Sequence, residues 1–158
     1  MRNAFKLISA IVICELAGII GSFFTTPAIP TWYATLTRPA LNPPSWIFGP
    51  VWTVLYVLMG ISLFLVWNRA IQGKEGEKKT AIVLFGAQLI LNALWSILFF
   101  GLHSAMAAFV EMIFLWLAIL ATMIAFARIS KPAALLLAPY IIWVSFAAYL
   151  NFAIWSLN

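Results

Sequence analysis

The 158-residue sequence has no aspartate, one cysteine (Cys14), one histidine (His103) and only 8% charged residues. Each shortage excludes something. A lone cysteine forms neither an internal disulfide nor a cysteine metal cluster, and a single imidazole at a turn leaves no metal site. No glycine-rich phosphate loop, no serine–histidine nucleophile arrangement, and no internal repeat or low-complexity tract is visible. A water-soluble domain covers its surface with about a quarter charged residues, so water is the wrong solvent for this chain.

What is present is apolar. The sequence is 65% hydrophobic and 16% aromatic, with eight tryptophans. Long apolar stretches run over roughly 5–25, 46–68, 80–101, 104–128 and 133–157. A bilayer core about 30 Å thick takes about 20 apolar residues per helix. The reading is therefore an all-α integral membrane protein, residues 1–158 forming a single bundle of five transmembrane helices. Arg2 and Lys6 before the first run resemble the start of a signal peptide. That run continues to about Phe24 without a small-residue cleavage site, and so reads as a retained helix.

The net charge of +5 raises nucleic acid as a partner, but the basic residues are scattered over loop ends. Alternating the gaps collects Arg2, Lys6, Arg69, Lys74, Lys78, Lys79, Arg128 and Lys131 on one side and leaves Arg38 alone on the other. The positive-inside rule then puts the N-terminus in the cytoplasm, with the C-terminus outside. Thr25, Thr26 and Pro27 open an outer loop over 26–45, which continues through Pro30, Pro39, Pro43 and Pro44. Long ordered loops are often functional. Ser45 is the expected N-cap of helix two, with Pro50 after Gly49 as the other possible start. His103 and Ser104 form a tight turn. Ser130, Lys131 and Pro132 start helix five, and Pro139 bends it.

Polar side chains at membrane depth turn inward. On helix three, Gln88, Asn92, Trp95, Ser96 and Phe99 share one face at offsets of 4, 7, 8 and 11. That stripe alone fits interhelical glue and ligand contact equally well. Trp67 and Trp155 lie at helix ends as interfacial anchors, and Trp46 fits that role too. Trp52 and Trp95 fall in the outer halves of their helices, Trp143 near mid-membrane and Trp32 on the outer loop. They converge on an aromatic chamber open near the outer leaflet and lidded by the loop. Such a chamber suits a large, flat, apolar ligand with a few polar edges. Indoles are also oxidisable and can exchange electrons with a photoexcited ligand. Glu15 and Glu111 read as protonated carboxyls bonded to a neighbouring helix, or as proton-coupling or ligand-contacting groups. Cys14 reads as inert core. Gly86 and Ala93, away from the helix-three stripe, suit a homodimer contact or ordinary packing within the chain.

The chain resembles the translocator protein family, also called tryptophan-rich sensory proteins or peripheral-type benzodiazepine receptors. The most specific matches are Trp32-Tyr33-Ala34 and the run Asn42-Pro43-Pro44-Ser45-Trp46-Ile47-Phe48-Gly49-Pro50-Val51-Trp52, followed by Leu55-Tyr56 and Met59-Gly60. Gln88-Leu89, Asn92, Trp95, Phe99-Phe100-Gly101, Pro139-Tyr140, Trp143, Phe146-Ala147 and Leu150-Asn151 extend the match over nearly the whole length. The resemblance implies a five-helix bundle, commonly dimeric, that binds porphyrins such as protoporphyrin IX, as well as isoquinoline carboxamide and benzodiazepine drugs. It implies no required cofactor, protoporphyrin IX being ligand or substrate, and a place in a bacterial cell membrane. Light- and oxygen-dependent porphyrin degradation and transport of porphyrin or other apolar metabolites are the further activities it suggests. On that reading the ligand contacts are Trp32, Trp46, Trp52, Tyr56, Gln88, Asn92, Trp95, Trp143, Phe146, Ala147 and Asn151, with Trp52 and Trp143 as redox candidates. Three departures stand out. Ala40-Leu41 replaces the usual Ser-Trp, and Glu111 replaces an aspartate. Phe152 and Ser156 occupy the tyrosine and basic positions of the animal cholesterol motif, so cholesterol is not expected through it.

Overall fold

The computed structural model describes residues 2–70, 73 and 75–158. Lys74 lies outside these, as does the side chain of Arg2. The helices are α1 (Arg2–Ala28), α2 (Phe48–Trp67), α3 (Glu75–Ser96), α4 (Ala105–Ala127), α5 (Lys131–Leu136) and α6 (Ala138–Leu157), with no strand among the described residues. Joined with their short flanking turns, they give five spans long and apolar enough to cross a membrane. Their outward faces carry large apolar side chains, among them Phe5 and Phe23, each 73% exposed. Lipid is the solvent that such a surface needs.

Several boundaries differ from expectation, each for a local reason. Helix one does not stop at Thr25. It runs through Pro27 and continues as a π-helix over Ile29–Tyr33, leaving only 36–44 irregular rather than 26–45. The Thr25 hydroxyl donates to the Gly21 carbonyl at 3.1 Å, and that of Thr31 to Pro27 at 2.8 Å, so hydroxyls serve a stretch where two prolines lack N–H groups. Ser45 makes no side-chain cap. It opens a short 3₁₀ turn, Ser45–Ile47, closed by the Ile47 N–H on the Pro44 carbonyl at 3.0 Å. Helix three begins at Glu75 rather than near 80, because Glu75 and Glu77 in its first turn favour the positive end of the helix dipole. Lys78 leans back from that turn to donate to the carbonyls of Trp67 (2.6 Å) and Arg69 (2.8 Å). The last span breaks at Leu137, two residues before Pro139, as that proline's missing donor requires.

The first two helices approach closely because Gly60 carries no side chain. A Cβ there would lie 2.5 Å from the Ile11 Cα and 2.9 Å from its backbone nitrogen. Around this crossing the core closes over Cys14, Met59, Val66, Phe85, Leu115 and Tyr140. Cys14 is fully buried, as inert core should be. The fifth span is tied in where Ser62 Oγ donates to the Ala133 carbonyl at 2.7 Å.

The two ends of the bundle differ. At one, Lys6 reaches Asn68 at 3.5 Å and lies 5.9 Å from the Trp67 ring centre. At the other, segment 36–44 is fastened by Asn158. Its side-chain amide accepts from the Thr37 N–H (2.9 Å) and donates to the Thr37 carbonyl (3.0 Å). A second tie runs from the Tyr33 hydroxyl to Asn42 Oδ1 at 2.9 Å.

Candidate functional site

Beneath that fastened segment lies a cavity of about 480 Å³, within the range of roughly 300–1,000 Å³ usual for small-molecule sites. Four of the eight tryptophans line it: Trp46, Trp52, Trp95 and Trp143. Tyr56, Asn92, Ala147 and Asn151, also expected there, join them. Helices α2, α3 and α6, with the 3₁₀ turn that carries Trp46, bring these side chains together, and α4 closes the wall with Met112 and Leu115.

Three expected residues stand elsewhere. Gln88 is buried behind Tyr140, where its Oε1 accepts the Tyr140 hydroxyl at 2.8 Å. It shares the helix-three face but sits about one turn farther from the end that carries segment 36–44. Trp32, carried on the π-helical extension, lies outside the wall. It stacks on His103 (4.6 Å, 14°) and meets Phe99 edge-on at 5.3 Å. His103 holds that place with a left-handed φ of 54° in the α3–α4 turn. Phe146 packs against Trp143 at 5.7 Å and is not part of the lining.

The polar groups divide into committed and free. Tyr56 donates to Asn92 Oδ1 (2.5 Å), Asn92 Nδ2 to the Tyr140 hydroxyl (3.0 Å), and that hydroxyl to Gln88. This one-way chain ends at Gln88 Nε2, which is buried with no acceptor among the described residues. Trp95 Nε1 donates to Asn151 Oδ1 (2.9 Å), and Asn151 Nδ2 to the Ala105 carbonyl (2.7 Å). Much of the expected amide stripe is therefore interhelical glue, and the stripe also forms part of the wall. Trp143 differs, since the residue lines the cavity while its Nε1 is buried and has no partner among the described residues. A buried unpaired donor costs about 1–3 kcal/mol, so this N–H is a standing site for an acceptor.

The aromatic walls have defined geometry. Trp52 stacks on Tyr56 (5.5 Å, 29°) and meets Tyr140 edge-on (6.2 Å, 70°). Trp95 stacks on Phe99 (5.1 Å, 17°), and Phe48 meets Trp143 at 6.0 Å. Trp46 is 73% exposed at the rim.

Sequence reasoning left Glu15 open as a ligand contact and missed the rest of the α1 wall. Glu15, Gly18, Ser22 and Thr25 all line the cavity, at helical intervals of three and four. That row of small and polar residues inside an apolar helix was the available signal. Tyr33, Asn42, Phe99 and Phe100 were also missed as lining residues. The two deep carboxyls part company: Glu15 faces the cavity, whereas Glu111 does not line it. Glu111 also lacks the expected bond to a neighbouring helix, because both its oxygens are buried without a partner among the described residues.

Comparison with known proteins agrees with this architecture. Residues 10–156 match the model of the TspO/MBR family. The chain is 48% identical over 157 residues to the tryptophan-rich protein TspO of Chlorobaculum tepidum, covering 99% of this chain and 98% of that one. It is 40% identical over 127 residues to the translocator protein of Ovis aries (80% and 75%). Identity to the tryptophan-rich sensory protein of Cereibacter sphaeroides is 38% over 127 residues (80% and 77%). A match across nearly the whole chain, joined to five membrane-spanning helices around a tryptophan-lined cavity, means that this protein belongs to the TspO/MBR family.

Proposed function

We propose that the chamber is a receptor-like site for porphyrins such as protoporphyrin IX, shared with flat drugs of the isoquinoline carboxamide and benzodiazepine types. The observation that carries this reading is the cavity walled by Trp46, Trp52, Trp95 and Trp143, the last with an N–H that has no partner among the described residues. Aromatic faces take the plane of the ligand, and the free donor takes a polar edge. Removing that donor separates function from folding. Trp143→Phe should leave the apo melting temperature unchanged or higher, because the unpaired N–H is gone. It should weaken protoporphyrin IX about tenfold in a tryptophan-quenching titration, with one hydrogen bond lost. Unchanged affinity in this variant would count against the site.

The same walls support a second reading, light- and oxygen-dependent porphyrin degradation. Trp52 or Trp143 would give an electron to the photoexcited macrocycle, and dioxygen would act as oxidant. Under aerobic light, Trp52→Phe plus Trp143→Phe should slow porphyrin loss to the rate of free porphyrin. Loss at the wild-type rate refutes the redox role. A transporter would instead move intact porphyrin into proteoliposomes in the dark.

The basic end of the bundle would face the cytoplasm of a bacterial cell, with the chamber and C-terminus outward, since Arg38 alone marks the other end. Labelling of Arg38→Cys from outside intact cells tests this orientation. The outer face of α3, with Ile90 71% exposed and open space at Gly86, would receive a second copy. Failure of Gly86→Cys to cross-link to its counterpart would argue against that homodimer.

A further inference from the structure

Among the described residues, Glu15 is the only one with a formal charge in the chamber lining, and of the α1 wall it lies farthest from the fastened segment 36–44. One turn along, Gly18 presses against Tyr56, where a Cβ would meet the ring Cε2 at 2.4 Å. Glu15 lines the same cavity as the stacked Tyr56 and Trp52. The Tyr56 hydroxyl is already given to Asn92, and Glu15 has no hydrogen bond or ion pair among the described residues. Lys6 and Lys78 bond elsewhere at the bundle end, Lys6 to Asn68 and Lys78 to backbone carbonyls. An unpaired carboxyl at membrane depth is costly. Aromatic faces next to a carboxylate form the combination that attracts an ammonium group.

We infer that Glu15 makes the chamber selective for flat aromatic ligands carrying a basic nitrogen, which the carboxyl pairs at the inner end of the cavity. The inference rests on the chamber being the ligand site and adds a chemical class to it. The nitrogen brings the proton that the pair shares, so the pair adds no net charge to the cavity. For a ligand without such a nitrogen, the carboxyl loses water and gains nothing.

The test uses two probes of equal shape, aminomethylanthracene and hydroxymethylanthracene, titrated into the full chain in phosphatidylcholine nanodiscs. Uncharged lipid avoids surface enrichment of the amine. The amine should bind the wild type about tenfold more tightly than the alcohol, the scale of a hydrogen bond to a charged group. Glu15→Gln should bring the two affinities within about twofold of each other, and Glu15→Asp should restore part of the preference. Equal affinities in the wild type, no amine binding, or a preference that survives Glu15→Gln would overturn the inference while leaving the chamber intact. If Trp52→Ala weakens neither probe, the chamber reading itself fails, and this inference with it. Melting curves of each variant confirm that the fold persists.

Discussion

Truncating both Trp52 and Asn92 to alanine should weaken protoporphyrin IX binding by about a hundredfold or more. The indole is the larger part. A fully buried aromatic side chain covers about 150–250 Å², and apolar burial is worth about 25 cal/mol per Å². With roughly half of that surface turned to the ligand, Trp52→Ala alone should cost about 2 kcal/mol, or some thirtyfold. Asn92 acts differently. It accepts from Tyr56 and donates to Tyr140, so its loss lets the Tyr56 ring, on which Trp52 stacks, shift in the wall. Interhelical hydrogen bonds in membranes average about 0.6 kcal/mol, so the bundle should survive the substitution. The control is Ile90→Ala on the side of α3 turned away from the chamber, which should bind as the wild type does. Undiminished binding by the double variant, shown by circular dichroism to be folded, would rule out the chamber as the porphyrin site.

The largest effect on folding is expected at the α1–α2 crossing. Gly60→Val should prevent recovery of folded protein, or lower its melting temperature further than Gly18→Ala or Trp52→Ala does. Overpacking that side chains can absorb costs about 1–3 kcal/mol. At Gly60 the obstruction is the Ile11 backbone, which has no rotamer to change. Gly18 is a milder case because a Cβ would meet the Tyr56 ring, which can turn at the expense of its bond to Asn92. Nothing lies within 4 Å of a Cβ on Gly86, so Gly86→Ala should be neutral or slightly stabilising. Melting temperatures in one detergent should therefore fall in the order Gly86→Ala, Gly18→Ala, Gly60→Val. A Gly60 variant as stable as the Gly86 variant would contradict the close crossing of α1 and α2.

The fold was legible because the solvent demands it. Apolar runs of span length and scarce charge leave few alternatives to a helical bundle. Helix ends were harder to place, because Pro27 and Pro30 look like terminators, yet the helix runs through the first and continues over the second as a π turn. On α3 the stripe was legible from helical spacing, and Trp52 and Trp143 from their depth, whereas Tyr56, Ala147 and Asn151 were reached only through the family resemblance. Gln88 misled because angular position is periodic but depth is not, and one turn moves a side chain from the wall to the layer behind it. Most of the α1 wall was overlooked because small residues look like packing, although Glu15 interrupts them. The ties over the chamber, Asn158 to Thr37 and Tyr33 to Asn42, depend on the bundle being assembled. The first joins residues 121 positions apart, and no local pattern announces such a contact.

A structure of the protein with protoporphyrin IX in a lipid bilayer tests the central claim most directly. The macrocycle should lie between Trp52 and Trp143, with a polar atom within about 3 Å of Trp143 Nε1. A porphyrin lying on the lipid-facing surface beside Ile90, with the cavity holding none, would contradict it.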